Sequence, residues 1–197
     1  MTDPISYVDA EALAAKLAIK EADTDSIADV TQIASDASRQ VDDYCGRYFG
    51  SIGTTQSPVV RSFPVENGLC LLDDLQSWSL IEAYTGTSWT TYDSTGLVFG
   101  PENAPTMLPA RPWDLLTFPE YRWKPERIRI TGVWGWAAVP SQVSRAAWLQ
   151  AIRLFKSPSV SLGVVGGADN MGVLRLSAQL QPDARELLRP FVKVNGG

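Results

Sequence analysis

The stretch Arg127-Ile128-Arg129-Ile130-Thr131-Gly132-Val133-Trp134-Gly135-Trp136-Ala137-Ala138-Val139-Pro140-Ser141-Gln142-Val143-Ser144-Arg145-Ala146-Ala147-Trp148-Leu149-Gln150-Ala151-Ile152-Arg153-Leu154-Phe155-Lys156 changes its period once, and that change sets the fold class. Ile128 and Ile130 point one way and Arg127, Arg129 and Thr131 the other, the alternation of a half-buried strand. Gly132 and Gly135 interrupt it between aromatic residues, which suits a bend or bulge that re-aims Trp134 and Trp136. Pro140 needs no helical amide partner and Ser141 beside it can cap, so a helix is predicted over about 140–156. Its apolar stripe is Val143, Ala147, Ala151 and Leu154, with Trp148, Ile152 and Phe155 on the shoulder. A strand running into an apolar helix is predicted to form the centre of the core.

Upstream, Asp9 is placed to cap a short helix over 10–17, with Leu13 and Leu17 on one face. A second helix follows a cap at Asp23 or Thr24. Ile27, Val30, Ala34, Ala37, Val41 and Tyr44 recur at steps of three and four, and Gly46 can end it in the left-handed conformation. Its other face carries Asp25, Asp29, Asp36 and Asp43. From 47 the period falls toward two, and strands are predicted at 59–65, 69–72, 80–84, 88–92 and 97–99. Asn67-Gly68 and Thr85-Gly86 read as turns, and Asp73-Asp74 as a further, exposed one. Six of the thirteen prolines fall between Pro101 and Pro125 among Trp113, Phe118, Tyr121 and Trp123, the composition of a long connection held by aromatic packing. Residues 157–172 are rich in glycine and small side chains and read as a mobile loop. A short strand at 173–176 follows, then a helix that Pro182-Asp183 opens and Pro190 halts. The chain thus reads as a single α+β domain, with helices at about 9–45 and 140–156 and a β-rich insertion at about 47–136.

The 197 residues carry a net charge of −5 and no histidine. Without histidine the commonest general base and the commonest metal ligand are both missing. The glycine-rich segment lacks the Gly-Lys-Ser/Thr ending of a phosphate loop and the spacing of a dinucleotide fingerprint. Asp42-Asp43 and Asp73-Asp74 are adjacent, so their carboxylates diverge along a helix or strand. No carboxylate cluster with metal spacing can be assembled. No enzyme activity and no cofactor are therefore expected. Cys45 and Cys70 have no metal-type spacing, and no signal peptide or membrane span is read, which predicts a product of the host cytoplasm. Charge is divided unevenly: residues 1–110 hold 5 basic and 16 acidic side chains (−11), residues 111–197 hold 12 basic and 6 acidic (+6). That division reads either as two poles that meet between copies or as ordinary surface cover.

The run Ile130-Thr131-Gly132-Val133-Trp134-Gly135-Trp136-Ala137-Ala138-Val139-Pro140, followed by an alanine-rich helix ending in Arg153-Leu154-Phe155-Lys156-Ser157-Pro158, resembles the head-to-tail connector (adaptor) proteins of long-tailed bacteriophages. The N-terminal helix pair ending near Tyr44-Cys45-Gly46, the β-rich middle and Leu187-Leu188-Arg189-Pro190-Phe191 extend the likeness over most of the chain. The resemblance implies a structural protein of the virion neck. Such a protein forms a homo-oligomeric ring, typically twelve-fold, joins the portal protein to a stopper or tail-terminator protein, and lets DNA pass through its lumen without sequence-specific contacts. A phage stopper or tail-completion protein is a related reading.

Two candidate surfaces follow. Asp29, Asp36 and Asp43 of one copy are expected near Arg145, Arg153 or Lys156 of the next. The acidic stripe also reads as a solvated face or as a lumen wall that repels DNA. The segment 173–197 is expected to dock on the portal through Leu188, Arg189, Phe191, Val192 and Lys193. A helix so short needs its apolar side chains buried, either in this chain or in a partner. From a different class, seven tryptophans suggest a carbohydrate- or nucleic-acid-binding module.

Overall fold

A computed structural model describes residues 5–19, 24–102, 111–120, 123–156 and 180–193. The architecture is α+β, with helices from both ends of the sequence and a multistranded sheet inserted between them. The chain divides into two compact units, residues 1–46 with 141–197 and residues 47–140.

The helical unit contains α1 (Ala10–Lys16), α2 (Thr24–Cys45), α3 (Ser141–Lys156) and α4 (Pro182–Leu188). Asp9 caps α1 as expected, its carboxylate accepting from the Glu11 and Ala12 amides. Along α2, Val30, Ala34, Ala37 and Val41 are buried on one face. At its end Cys45, not Tyr44, completes the apolar stripe, and Tyr44 is 37% exposed. Gly46 has φ +63°, the left-handed turn that ends the helix. Along α3 the buried face is Val143, Ala146, Ala147, Gln150 and Ala151, while Leu154 is only half-buried. Gln150 is tolerated inside because its amide donates to Gln40 Oε1 at 2.7 Å and its carbonyl accepts from the Gln181 amide. Pro182 opens α4, and a 3-10 turn, Arg189–Phe191, follows it.

Ahead of α1, Tyr7 and Val8 are buried. The Tyr7 hydroxyl donates to Asp42, the Tyr7 amide donates to Ser38 Oγ, and the Arg39 guanidinium lies over the Tyr7 ring.

The second unit is a seven-stranded antiparallel sheet, β1 (Ser51–Ile52), β2 (Val59–Pro64), β3 (Leu69–Tyr84), β4 (Trp89–Thr91), β5 (Val98–Gly100), β6 (Trp113–Thr117) and β7 (Arg127–Gly135). Its order is β1-β7-β3-β6-β5, with β2 also on β7 and β4 also on β3. Asn67 and Gly68 both take positive φ, as a two-residue hairpin turn requires, and Gly86 does so in the turn joining β3 to β4.

Two expectations are corrected. The segments 69–72 and 80–84 are one strand, because Asp73-Asp74 is no turn; the ladder shifts register between Leu71 and Leu75, and Asp74 sits there at φ +57°. The Pro-rich segment also contains a strand: β6 lies between Pro112 and Pro119 and pairs with both β3 and β5.

The sheet core is Phe63, Cys70, Leu72, Leu75, Ile81, Leu116, Phe118, Ile128, Ile130 and Trp134. Trp78, Phe99 and Trp113 pack on it in a continuous ring contact. The two β7 glycines have separate physical reasons. A Cβ at Gly132 would collide with the Ser77 carbonyl of β3, and one at Gly135 with the Gly50 carbonyl. Gly135 also has φ +82°, so the bend expected there falls at the end of the strand.

Candidate functional site

The bulge in β3 buries Asp74, expected in an exposed turn, inside a charge cluster. Arg47 Nη1 donates to Asp74 Oδ1 at 2.8 Å, and Arg47 Nη2 donates to Asp114 Oδ2 at 3.3 Å. Trp136 Nε1 donates to Asp74 Oδ2 at 3.3 Å. The Arg47 and Asp74 side chains are almost fully buried. Both oxygens of Asp74 therefore face donors, so the carboxylate ties β3 to Arg47 and Trp136, and Arg47 in turn reaches Asp114 on β6.

The outward sheet face has a polar end and an apolar end. At the polar end Arg129 grips Glu82 through two hydrogen bonds of 2.6 and 2.7 Å, and its guanidinium lies 4.9 Å over the Trp89 ring. The hydrogen bonds from Arg129 hold the Glu82 carboxyl below its ordinary range, and Glu82 pushes Arg129 up in return. At the apolar end, register aligns Leu69 with Thr117 and Val98 in one row, and Leu71 with Leu115 and Gly100 in the next. Leu69, Leu71 and Val98 are 47%, 53% and 48% exposed. This patch was missed although the sequence carries its signal. Leu69-Cys70-Leu71-Leu72 is continuously apolar, the pattern of a strand with both faces covered. Cys70 and Leu72 fill the inner face, and Leu69 and Leu71 stand outside.

In the helical unit, Asp29, Asp36 and Asp43 are all exposed on the side of α2 away from its apolar stripe. Arg145 and Lys156 are exposed on α3, and Arg153 is half-buried. Both helices belong to the helical unit, so it carries the acidic face of α2 and these basic residues of α3 together.

The C-terminal segment departs from the expectation for its apolar anchors. Leu188 is fully buried and Phe191 nearly so, both within the helical unit. The Lys193 amide donates to the Cys45 carbonyl at 2.8 Å, satisfying an end-carbonyl of α2. Arg189 and Val192 are exposed, and Lys193 is half-buried. Short-helix energetics required burial of the apolar side chains, and this chain supplies it. The loop 157–172, the strand 173–176, the cap at Asp23 and the tail 194–197 lie outside the described residues.

Of the seven tryptophans, Trp123 alone is exposed, at 59%. Trp134 and Trp136 are buried, and Trp78, Trp89, Trp113 and Trp148 are half-buried. Among the described residues no three His, Cys, Asp or Glu side chains are grouped as metal ligands. Burial, with Asp73 adding to it, pushes the Cys70 thiol up to about 12. No family model matches the chain, and no curated protein matches it.

Proposed function

We propose that this protein is a structural adaptor of a bacteriophage neck, assembling into a ring that joins a portal protein to a stopper or tail-terminator protein and leaves a lumen for DNA. The observation that carries this reading is the outward apolar face of the sheet. Leu69, Leu71 and Val98 on neighbouring strands are each about half exposed, in a unit whose inner core is already filled. Contiguous exposed apolar side chains of this kind mark protein-binding surfaces. The sequence resemblance supplies the biological setting, and the α+β plan with an inserted sheet agrees with what it implies.

Within this proposal the portal contact narrows. Leu188 and Phe191 lock the helical unit, and Arg189, Val192 and Lys193 remain the part of the segment that can meet a partner. The sheet face then takes another protein of the neck. Placement in the virion, after synthesis in the host cytoplasm, follows from the same reading.

Mass measurement of the isolated protein, alone and mixed with the portal protein of the same virus, tests it. A closed multi-copy species is expected in at least one condition. A monomer in both, with no portal complex, overturns the proposal.

A further inference from the structure

We infer that the acidic outer face of α2 in one copy docks on the basic-edged outer face of α3 in a second copy of this chain, an inference that rests on the ring-forming reading above. Asp29, Asp36 and Asp43 recur every seven residues, so they stand about 10 Å apart along one side of α2. Arg145 and Lys156 stand about 16 Å apart along α3. Long basic side chains reach over several ångströms, so two cations can serve two or three of these carboxylates.

Among the described residues Asp29, Asp43, Arg145 and Lys156 form no ion pair, and Asp36 only accepts a hydrogen bond from Gln32 of its own helix. Apolar surface accompanies the charge on both helices. Phe155 beside Lys156 is 39% exposed, with Leu149 and Ile152 half-buried, and Tyr44 beside Asp43 is 37% exposed.

A second copy fits better than any other occupant because each face complements the other and both are present on every copy. Each copy offers one acidic and one basic face on different helices. A contact between unlike faces is heterologous and propagates, and it closes into a ring when the rotation per copy allows. Exposed pairs contribute little affinity individually, so the charges set direction and register while the aromatic and aliphatic side chains supply affinity.

Two charge-reversed proteins test the contact, Asp36→Lys with Asp43→Lys, and Arg145→Glu with Lys156→Glu. Each is studied in whichever condition, alone or with portal, the wild type assembles. Neither is expected to assemble by itself, the concentration for half-assembly rising about tenfold or more. An equimolar mixture is expected to recover assembly, because unlike faces then meet at every contact. In the wild type, carbodiimide coupling of a mixture of isotope-labelled and unlabelled copies is expected to join Lys156 of one copy to Asp29, Asp36 or Asp43 of another. Unchanged melting temperatures and circular dichroism keep misfolding from imitating the result.

If both reversed proteins assemble like the wild type, this contact is wrong and the ring reading stands. If the folded mixture fails to recover assembly, the contact is likewise wrong. Recovery that stops at a two-copy species overturns the propagating geometry. A wild type that never assembles overturns this contact and the proposed function together.

Discussion

The helical unit and the sheet unit bury themselves by opposite means. In the helical unit the core is largely small, with Ala34, Ala37, Ala146, Ala147, Ala151 and Ala184 all fully or almost fully buried. Such residues let helix backbones approach closely, so the unit gains from proximity and has little room for extra volume. In the sheet unit the core is large and aromatic, with Trp134, Trp136 and Phe49 among its fully buried side chains. It also encloses an ion pair, Arg47 with Asp74. One unit should therefore be vulnerable to added atoms, the other to lost partners.

The largest effect is expected from Asp74→Ala. It leaves the Arg47 guanidinium buried without its principal counter-charge, a loss of about 3–5 kcal/mol. Six of the seven tryptophans lie in the sheet unit, so fluorescence during urea unfolding reports on it. A loss under about 1 kcal/mol would mean that Asp114 and water replace the carboxylate, and the contrast between the units would fail.

Ala147→Leu comes next. Forcing a larger side chain between closely packed helices should cost about 1–3 kcal/mol. Far-UV circular dichroism and the Trp148 signal would follow it, and an unchanged midpoint would show that the small-residue core has slack. A smaller effect, about 1 kcal/mol, is expected from Asp9→Ala, which removes the acceptor for two amides at the start of α1. Thermal melting read at 222 nm measures it, and no shift would mean that burial of Leu13 and Ala14 holds α1 without the cap.

The smallest effect at neutral pH concerns Cys70. Its folded value of about 12 lies above the ordinary 9.0, so the native state favours the protonated thiol. The associated stability is fully present below pH 9.0 and is lost as pH rises toward about 12. Cys70→Val should flatten that alkaline loss, and the native thiol should resist alkylation at pH 8. Rapid alkylation of folded protein would show that the inner sheet face opens.

The same contrast governs how much was legible in the sequence. Periods of three and four persist through α2 and α3 without interruption, so both helices and their charged outer faces could be read directly. Errors there are confined to single positions: Cys45 in place of Tyr44, Ala146 buried while Leu154 is only half-buried, and Gln150 admitted to the core through partners distant in sequence. In the sheet a bulge shifts the period, and Asp73-Asp74 looks like a turn when only local residues are weighed. Arg47, 27 residues away, is what makes burial of Asp74 tolerable, and no spacing rule announces it. Prolines on either side concealed the five residues of β6. Apolar Leu69 and Leu71 were visible as a run, yet a run alone does not say which face stays open. For Phe191 the sequence required burial but could not choose between this chain and a partner.

The bond from Lys193 to Cys45 has a consequence for the order of events during synthesis. A ribosome releases α2 more than a hundred residues before α4, an interval on the order of ten seconds at ordinary elongation rates. Residues 47–140 emerge within that interval and contain every strand of their own sheet. The inserted unit can thus condense on the nascent chain while Val30, Ala34, Ala37 and Val41 still await their partners. Completion of the discontinuous unit falls to α4 and the turn after it, so a polypeptide interrupted before α4 has a complete sheet unit and an incomplete helical unit.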